Sequence, residues 1–176
     1  MGRVIYRMKK EMKNRNIVAV LDNIRSVHNV GSIFRTADGA GFSEIVLCGV
    51  TPEPIDRLGR LRGEFTKVAL GAERSLPWRK EKTTGKAISR LCKEGFYIIA
   101  LEQSSRAVPY TSLSKRLPEK IALVVGNETQ GIKPHLLKRV DRIVEIPMEG
   151  RKESLNVSVA FGIAAYECRR HKEGAM

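Results

Sequence analysis

The sequence has few of the residues that cross-link small extracellular domains or bind metals. Its 176 residues include three cysteines, Cys48, Cys92 and Cys168, which are far apart and form no C-x-x-C pair. An odd number of dispersed cysteines is typical of free thiols in a reducing compartment and argues against a disulfide framework or a structural zinc site. We therefore expect a cytoplasmic protein with buried free thiols and no metal.

Long apolar runs are also missing. None approaches the roughly 18 residues that a membrane-spanning helix needs. The N-terminal stretch MGRVIYRMKKEMKNRN is basic and lacks the apolar core of a secretory signal. The fingerprints G-x-G-x-x-G and G-x-x-x-x-G-K-[ST] are absent too, which excludes the usual dinucleotide and NTP sites. We expect no membrane partner.

Positive charge is abundant instead. Lysine and arginine number 32 against 19 acidic residues, giving a formal net charge of +13 and a pI near 10.0. Such an excess favours a polyanionic partner, namely nucleic acid; solubility alone is the alternative, and neither basic stretch shows the wide apolar face of a membrane-surface helix. The excess is concentrated in the arm 1–15 and the segment 51–84. The candidate RNA-binding residues in these stretches are Arg7, Lys9, Lys10, Arg60, Arg62, Arg79 and Lys80.

Apolar runs and helical patterns alternate along the chain. The runs are nearly continuous in Val, Ile, Leu and Ala, as parallel strands covered on both faces tend to be. We therefore predict an α/β fold, a mostly parallel sheet flanked by helices, with segment 51–84 as loop containing a short helix. The predicted strands are 16–22, 44–50, 96–102, 120–126 and 142–147, and the predicted helices are 30–40, 83–94, 132–138 and 155–171.

The first predicted helix carries an arginine that the core does not explain. Four apolar residues recur at helical spacing, namely Val30, Ile33, Phe34 and Ala37, and Asn29 is a candidate N-cap. Arg35 lies on a different face, behind the small pair Gly31-Ser32. The helix alone gives no reason for this arrangement.

The run 120–126 is followed by GNETQG, Gly126 to Gly131. In open α/β sheets ligands bind beyond the carboxyl ends of the strands, and glycine lets a ligand approach main-chain amides there. Glu128 would then lie at the crevice. The alternative is a simple turn with a solvated glutamate.

The run 142–147 is followed by a polar stretch and a small-residue helix. Ser154 and Asn156 lie at the predicted helix start, where such side chains cap free amides. Capping accounts for Ser154 but not for the asparagine two residues on. The small residues within 158–165 allow close packing, either internally or against a second subunit. From the residues alone, the chain is an α/β protein that binds RNA or DNA.

Three stretches in this order, NVGSIFRTADGAG, LVVGNETQGI and IPMEGRKESLNVSVAFGIAAYE, resemble the signature motifs of the SpoU (TrmH-like) RNA 2′-O-ribose methyltransferases of the SPOUT superfamily. The resemblance spans Asn16 to Arg169. It implies a SPOUT fold with a C-terminal trefoil knot, S-adenosylmethionine as cofactor, and a homodimer. The chain resembles the minimal, single-domain form, with a basic arm at 1–15 and the methyltransferase domain at 16–176.

The resemblance also assigns residues. The positions that match the motif residues of the reaction centre are Arg35, Asn29, Glu128, Ser154 and Asn156. The cofactor would be held by Leu101, Gly126, Asn127, Glu128, Ile146, Met148, Ser154, Leu155 and Asn156. No metal is implied.

The substrate is expected to be tRNA, with ribosomal RNA next. One alternative is a SPOUT-fold RNA-binding protein that has lost catalysis, although the motif residues are all present. Another, an α/β enzyme acting on a small anionic metabolite, leaves both basic stretches unexplained.

Overall fold

The computed structural model describes residues 15–114 and 117–170. Within these ranges the apolar runs form one sheet in which every recorded strand pairing is parallel. The strands are β1 (Asn16–Asp22), β2 (Glu44–Cys48), β3 (Trp78–Glu81), β4 (Tyr97–Leu101), β5 (Val108–Pro109), β6 (Lys120–Val125) and β7 (Arg142–Glu145). Their order across the sheet is β3-β2-β1-β6-β4-β7-β5. The predicted parallel α/β architecture is confirmed.

Both faces of the sheet are buried, which explains why the apolar runs are continuous. Along β1, Ile17, Ala19 and Leu21 belong to one core cluster, while Val18 and Val20 belong to the other. Successive strand residues point to opposite faces, so a strand covered on both sides has no place for a polar face.

Helices form the two covering layers. They are α1 (Val27–Gly39), α2 (Gly63–Ala69), α3 (Ala72–Ser75), α4 (Thr84–Lys93), α5 (Pro134–Leu137) and α6 (Val157–Arg169), with a 3₁₀ turn at Tyr110–Ser114. Apolar residues of α1, α2, α3 and α6 enter the first core cluster, and those of α4 and α5 enter the second. In the described ranges, no helix has the length and apolar character that crossing a membrane requires.

Helix α1 begins earlier than the sequence pattern predicts. Its N-cap is Ser26, whose hydroxyl accepts a hydrogen bond from the backbone N–H of Asn29 at 3.2 Å. The prediction that Asn29 caps the helix is therefore wrong. Ser26 fills that role, which leaves the Asn29 side chain available for a contact outside the helix.

Segment 51–84 is more ordered than predicted. It contains α2, α3 and the edge strand β3, which pairs with β2 from Ile45↔Trp78 onward. The sequence of β3, WRKE, is charged after its first residue and shows no apolar run. Charged residues are common on edge strands, where they discourage pairing with other chains.

Two of the three cysteines are buried, as predicted, but Cys92 is exposed. Burial raises the pKa of Cys48, and likewise that of Cys168, to about 12. Both thiols therefore stay protonated at neutral pH and pack as small apolar groups.

The strand order creates a crevice at the carboxyl end of the sheet. Strand β6 lies between β1 and β4 although it follows both in the chain. The loops after β4, β6 and β7 consequently emerge side by side, and this is where ligands bind in open α/β sheets.

Candidate functional site

A cavity of about 630 Å³ lies at the carboxyl ends of β4, β6 and β7. Its walls come from the loop after β4, from residues 126–131 after β6, and from the stretch between β7 and the first turns of α6. Every residue that the family resemblance assigns to cofactor binding lines this cavity: Leu101, Gly126, Asn127, Glu128, Ile146, Met148, Ser154, Leu155 and Asn156. The structure thus brings together residues from three separate stretches of sequence.

The loop after β6 is closed tightly on itself. A Cβ atom at Gly126 would lie 2.5 Å from the carbonyl carbon of Gly131, so the two sides of the loop can meet only with glycine there. The Asn127 side chain accepts hydrogen bonds from the backbone N–H groups two and three residues on, both at 3.0 Å. It also donates to the carbonyl of Asn23 at 2.8 Å. Asn127 therefore holds the shape of the loop.

A chain of hydrogen bonds runs along the edge of the cavity. The Asn29 Nδ2 donates to Glu128 Oε1 at 3.0 Å, and Asn156 Nδ2 donates to Asn29 Oδ1 at 3.1 Å. Three of the five residues assigned to the reaction centre are thus connected, one from each sequence motif. Two of them, Glu128 and Asn156, also line the cavity.

The direction of this chain follows from its first member. An ionised carboxylate only accepts hydrogen bonds, so Asn29 must turn its NH₂ to Glu128 and its oxygen to Asn156. Asn156 then donates with its own NH₂. Its oxygen accepts from the backbone N–H of Ser158 at 2.9 Å and caps α6. Capping therefore explains Asn156 and not Ser154, the reverse of the sequence-based interpretation.

The carboxylate of Glu128 is stabilised in its charged form. Partial burial raises its pKa, but hydrogen bonds from the Asn29 side chain and from the backbone N–H groups of Arg25 and Ser26 outweigh that effect. The net result is a pKa below the ordinary value for glutamate. Glu128 is therefore ionised at neutral pH and serves as a fixed acceptor at the edge of the cavity.

Arg35 and Ser154 stand outside the hydrogen-bond chain. Ser154 is exposed and lines the cavity. Arg35 is exposed on α1, six residues beyond Asn29, and is not part of the cavity wall. Six residues turn a helix by about 240°, so the two side chains leave α1 in different directions. The structure of one chain therefore does not bring Arg35 to the other assigned residues.

Two of the candidate RNA-binding arginines lie on the loop before α2. The Arg60 side chain is 73% exposed and bonds Asp56 Oδ2 through its Nε at 3.1 Å. Arg62 Nε donates to the carbonyl of Ile55 at 3.1 Å. Both bonds use one guanidinium nitrogen, so donors remain for a phosphate. Three further candidates, Arg7, Lys9 and Lys10, lie outside the described residues.

The two candidates on β3 have partners within the protein. Arg79 forms an ion pair with Glu44 of the neighbouring strand, and its side chain is 26% exposed. Lys80 donates to the carbonyl of Thr51. These contacts tie both side chains to the edge of the sheet, and Arg79 in particular is a structural residue of the β2–β3 pair.

The cavity residues that were not foreseen from the sequence include Glu102 and Gln103. They lie at the end of the predicted strand 96–102 and directly after it, where ligand-contacting side chains are expected in parallel sheets. The signal available in the sequence was an acidic and an amide side chain at the carboxyl end of a predicted strand. No group of three or more side chains suited to holding a metal ion occurs in residues 15–114 and 117–170.

The parallel sheet, the cavity at its carboxyl edge and the hydrogen-bonded polar residues beside it define an α/β protein with a candidate ligand site. Residues 16–166 match the model of the SpoU rRNA Methylase family, and the chain belongs to this family. The family assignment made from the three motifs is thereby confirmed.

Similarity to individual proteins extends over nearly the whole chain. A 23S rRNA (guanosine-2′-O-)-methyltransferase RlmB of Salmonella typhi is 30% identical over 161 residues, 92% of this chain and 63% of the relative. This chain therefore spans less than two thirds of that protein. The AdoMet-bound rRNA methyltransferase of Sinorhizobium meliloti matches with a TM-score of 0.80 and 29% identity, covering 92% of this chain and 59% of the other.

A third match covers most of both chains. The TrmH/SpoU tRNA modifying enzyme of A. aeolicus has a TM-score of 0.75 and 27% identity, over 98% of this chain and 84% of that one. These structures confirm the predicted SPOUT-type fold class. The trefoil knot stays a prediction.

Proposed function

We propose that this protein is an S-adenosylmethionine-dependent RNA methyltransferase that acts on a ribose 2′-hydroxyl. The cavity carries the proposal, because all nine residues assigned to the cofactor line it. The hydrogen-bond chain from Asn156 through Asn29 to Glu128 lies at its edge, where a substrate would meet the cofactor.

The lining suits S-adenosylmethionine. Several apolar side chains of the lining, including Leu101, Ile146, Met148 and Leu155, would offer surface to an adenine ring. A volume of about 630 Å³ lies within the range of roughly 300–1,000 Å³ typical of ligand sites. When bound, the cofactor supplies an electrophilic methyl group on a positively charged sulfur. Acidic side chains in the lining, Glu102, Glu128, Glu145 and Glu153, favour a cationic ligand.

The protein's own groups would prepare the ribose hydroxyl. Glu128, held ionised by Asn29 and two backbone amides, fixes the polar edge of the site. We assign Arg35 to orient the hydroxyl and to stabilise negative charge that develops on its oxygen. A guanidinium keeps its proton, with a pKa above about 12, so it does not act as the base. Ser154 and Asn156 are the other two residues that we assign to the reaction centre.

A homodimer would place Arg35 of one protomer near the cavity of the other. Helix α6 carries an apolar stripe that is at least partly exposed, Val159, Ile163 and Tyr166, spaced to share one face. Val159 is 51% and Tyr166 55% exposed, and Tyr166 lies beside Gly39 at the end of α1. Large exposed apolar side chains in a row mark an interaction surface. Pairing through α6 and α1 would let Arg35 serve the cavity of the other protomer.

RNA is the proposed substrate class, supported by the net charge of +13 and by the named relatives. The sequence alone ranks tRNA first. The 23S rRNA methyltransferase of Salmonella typhi supports ribosomal RNA, whereas the tRNA modifying enzyme of A. aeolicus, matched over more of its length, supports tRNA. We propose that the arm 1–15, the exposed Arg60 and the half-buried Arg62 contact RNA phosphates beside the domain 16–176.

The decisive experiment is a methyl-transfer assay on two RNA pools from cells that lack the gene. Bulk tRNA and protein-stripped ribosomal RNA are incubated separately with labelled S-adenosylmethionine, then digested to nucleosides and analysed by mass spectrometry. We expect a 2′-O-methylated nucleoside from one pool, which identifies the substrate class.

A folded chain that transfers no methyl group to either pool would contradict the proposal. If it also binds RNA tightly and with strong salt dependence but binds no cofactor, the non-catalytic RNA-binding alternative replaces it.

A further inference from the structure

Glu102 and Gln103 follow β4 directly, and each holds a different wall of the cavity. Glu102 Oε2 accepts a hydrogen bond from the backbone N–H of Ile132 at 2.6 Å. Gln103 Nε2 donates to the backbone carbonyl of Glu153, also at 2.6 Å. The first bond attaches the loop after β6, and the second attaches the loop after β7. Both partners are main-chain groups, so the bonds fix loop position.

The contact of Glu102 with its loop is closely fitted. Gly131, the neighbour of Ile132, has a φ of +62°, and a Cβ atom there would lie 2.3 Å from Glu102 Oε2. The other oxygen, Oε1, accepts from the backbone N–H of Gln103 at 3.0 Å. Both carboxylate oxygens are therefore engaged by backbone amides, and glycine at 131 makes room for one of them.

Strand β4 gives the two side chains a rigid base. The backbone N–H of Glu102 donates to the carbonyl of Val144 at 2.9 Å, which continues the sheet hydrogen bonding between β4 and β7. A carboxylate that accepts from an amide makes a stronger bond than a neutral pair. Side chains anchored on a strand can hold adjoining loops at a defined separation.

We propose that Glu102 and Gln103 are positioning residues that set the width of the cavity by fixing its two loop walls relative to β4. This inference rests on the proposed function, which identifies the ligand of the cavity as S-adenosylmethionine. Because the two hydrogen bonds hold both loops before a ligand arrives, less ordering would accompany binding and affinity would be higher.

Glu102→Ala and Gln103→Ala test this, with Glu64→Ala as the matched control. Alanine at position 102 removes both acceptor oxygens, so the backbone N–H groups of Ile132 and Gln103 both lose their partner. Glu64 is exposed on α2 and does not line the cavity. Circular dichroism and a melting curve establish that each variant is folded.

The first readout needs no ligand. Amide hydrogen exchange in the unliganded protein should be faster at Ile132 in Glu102→Ala, and faster around Glu153 in Gln103→Ala, with Glu64→Ala unchanged. Exchange at Ile132 equal to that of the native chain would overturn the role of Glu102; unchanged exchange around Glu153 would do the same for Gln103.

The second readout uses S-adenosylmethionine and S-adenosylhomocysteine in calorimetric titrations. We expect each variant to bind about tenfold more weakly or worse, and in methyl transfer to raise the KM for cofactor while the KM for RNA and kcat at saturation change little. Native affinity despite faster exchange would overturn the inference. If the native chain itself binds neither ligand, the proposed function fails, and the exchange rates alone decide whether the two residues hold the loops.

Discussion

Asn156 donates a hydrogen bond to Asn29 across 3.1 Å, joining two residues that are 127 positions apart. The same asparagine caps α6, and Asn29 in turn holds Glu128. The start of α6, the first turn of α1 and the loop after β6 are therefore connected through two amide side chains. A substitution at one of these positions should alter the hydrogen bonds at the other two, because each side-chain amide can make its hydrogen bonds in one orientation only.

The ionisation of Glu128 should contribute to stability in a pH-dependent way. Its folded pKa lies below the ordinary value of 4.5, so the contribution is complete above that value and is lost as the pH falls through the folded pKa. We expect the native chain to lose more free energy of unfolding than Glu128→Gln between about pH 6 and pH 3. Urea unfolding at several pH values measures this difference.

Glu64→Gln is the control, because the side chain of Glu64 is exposed on α2 and makes no hydrogen bond or ion pair within residues 15–114 and 117–170. It should follow the native pH dependence. Identical pH dependence of the native chain and Glu128→Gln would show that the bonds from Asn29 and the two amides do not stabilise the carboxylate.

Removal of the Arg35 side chain should affect methyl transfer without affecting cofactor binding. Because Arg35 lies outside the cavity wall, Arg35→Ala should leave cofactor affinity unchanged while methyl transfer falls by roughly 10²-fold or more. Calorimetry and the nucleoside assay measure the two quantities. Lys93→Ala, at the exposed end of α4, should change neither. Loss of cofactor affinity in folded Arg35→Ala would remove Arg35 from the proposed catalytic role.

The sequence predicted elements that depend on local pattern and missed those that depend on distant partners. The continuous apolar run of β1 identified a buried strand, whereas β3, with its charged sequence, is recognisable only beside β2. The sequence pattern predicts Asn29 as a cap, because polar residues such as asparagine are common directly before a helix. Its actual partner, Glu128, is 99 residues away, and no local pattern records that pairing.

The family resemblance identified residues that line the cavity. It did not identify the side chains that hold the cavity loops in place. Family motifs name residues such as Leu155, which lines the cavity. They do not name Glu102, whose partner is a backbone N–H that nearly any residue at position 132 would supply. A hydrogen bond from a side chain to the main chain does not depend on the residue type of its partner. Such a contact therefore leaves no pattern in the sequence.

The basic candidates should divide into two classes. Arg60→Ala with Arg62→Ala should weaken RNA binding and reduce its salt dependence by about one unit of slope for each lost phosphate contact. Arg79→Ala should instead lower the free energy of unfolding, because it leaves Glu44 unpaired at the sheet edge. Filter binding at several salt concentrations and urea unfolding measure these effects. An unchanged salt slope in the double variant would place the RNA surface elsewhere.

Gly131 should tolerate alanine less well than a glycine of similar backbone conformation. Gly59 has a φ of +75° and no atom within 4 Å of the position that a Cβ would occupy, so Gly59→Ala carries backbone strain alone, about 1 kcal/mol. Gly131→Ala adds displacement of the Glu102 carboxylate from Ile132, for a total of roughly 3 kcal/mol. Urea unfolding compares the two. Equal losses would mean that the Glu102 contact adds nothing to stability.

The proposed dimer can be tested at the apolar stripe of α6. Tyr166→Asp places a charge where a 55% exposed aromatic ring is available to a second protomer, so it should halve the mass found by light scattering from twice 19.7 kDa to that of one chain. Leu58→Asp is the control, since Leu58 is 74% exposed but lies on a loop away from α6. A native chain that is monomeric at the concentrations of the assay would contradict the dimer.

Loss of the dimer should also reveal which cavity Arg35 serves. If Arg35 acts across the interface, monomeric Tyr166→Asp keeps its cofactor affinity but loses methyl transfer, because the cavity belongs to one chain and the arginine to another. Mixing Arg35→Ala with Glu128→Ala, each inactive alone, should then restore part of the activity, since heterodimers contain one cavity with native Glu128 facing a native Arg35. Full activity of the monomer, or no recovery on mixing exchanged subunits, would assign Arg35 to its own chain and require α1 to move.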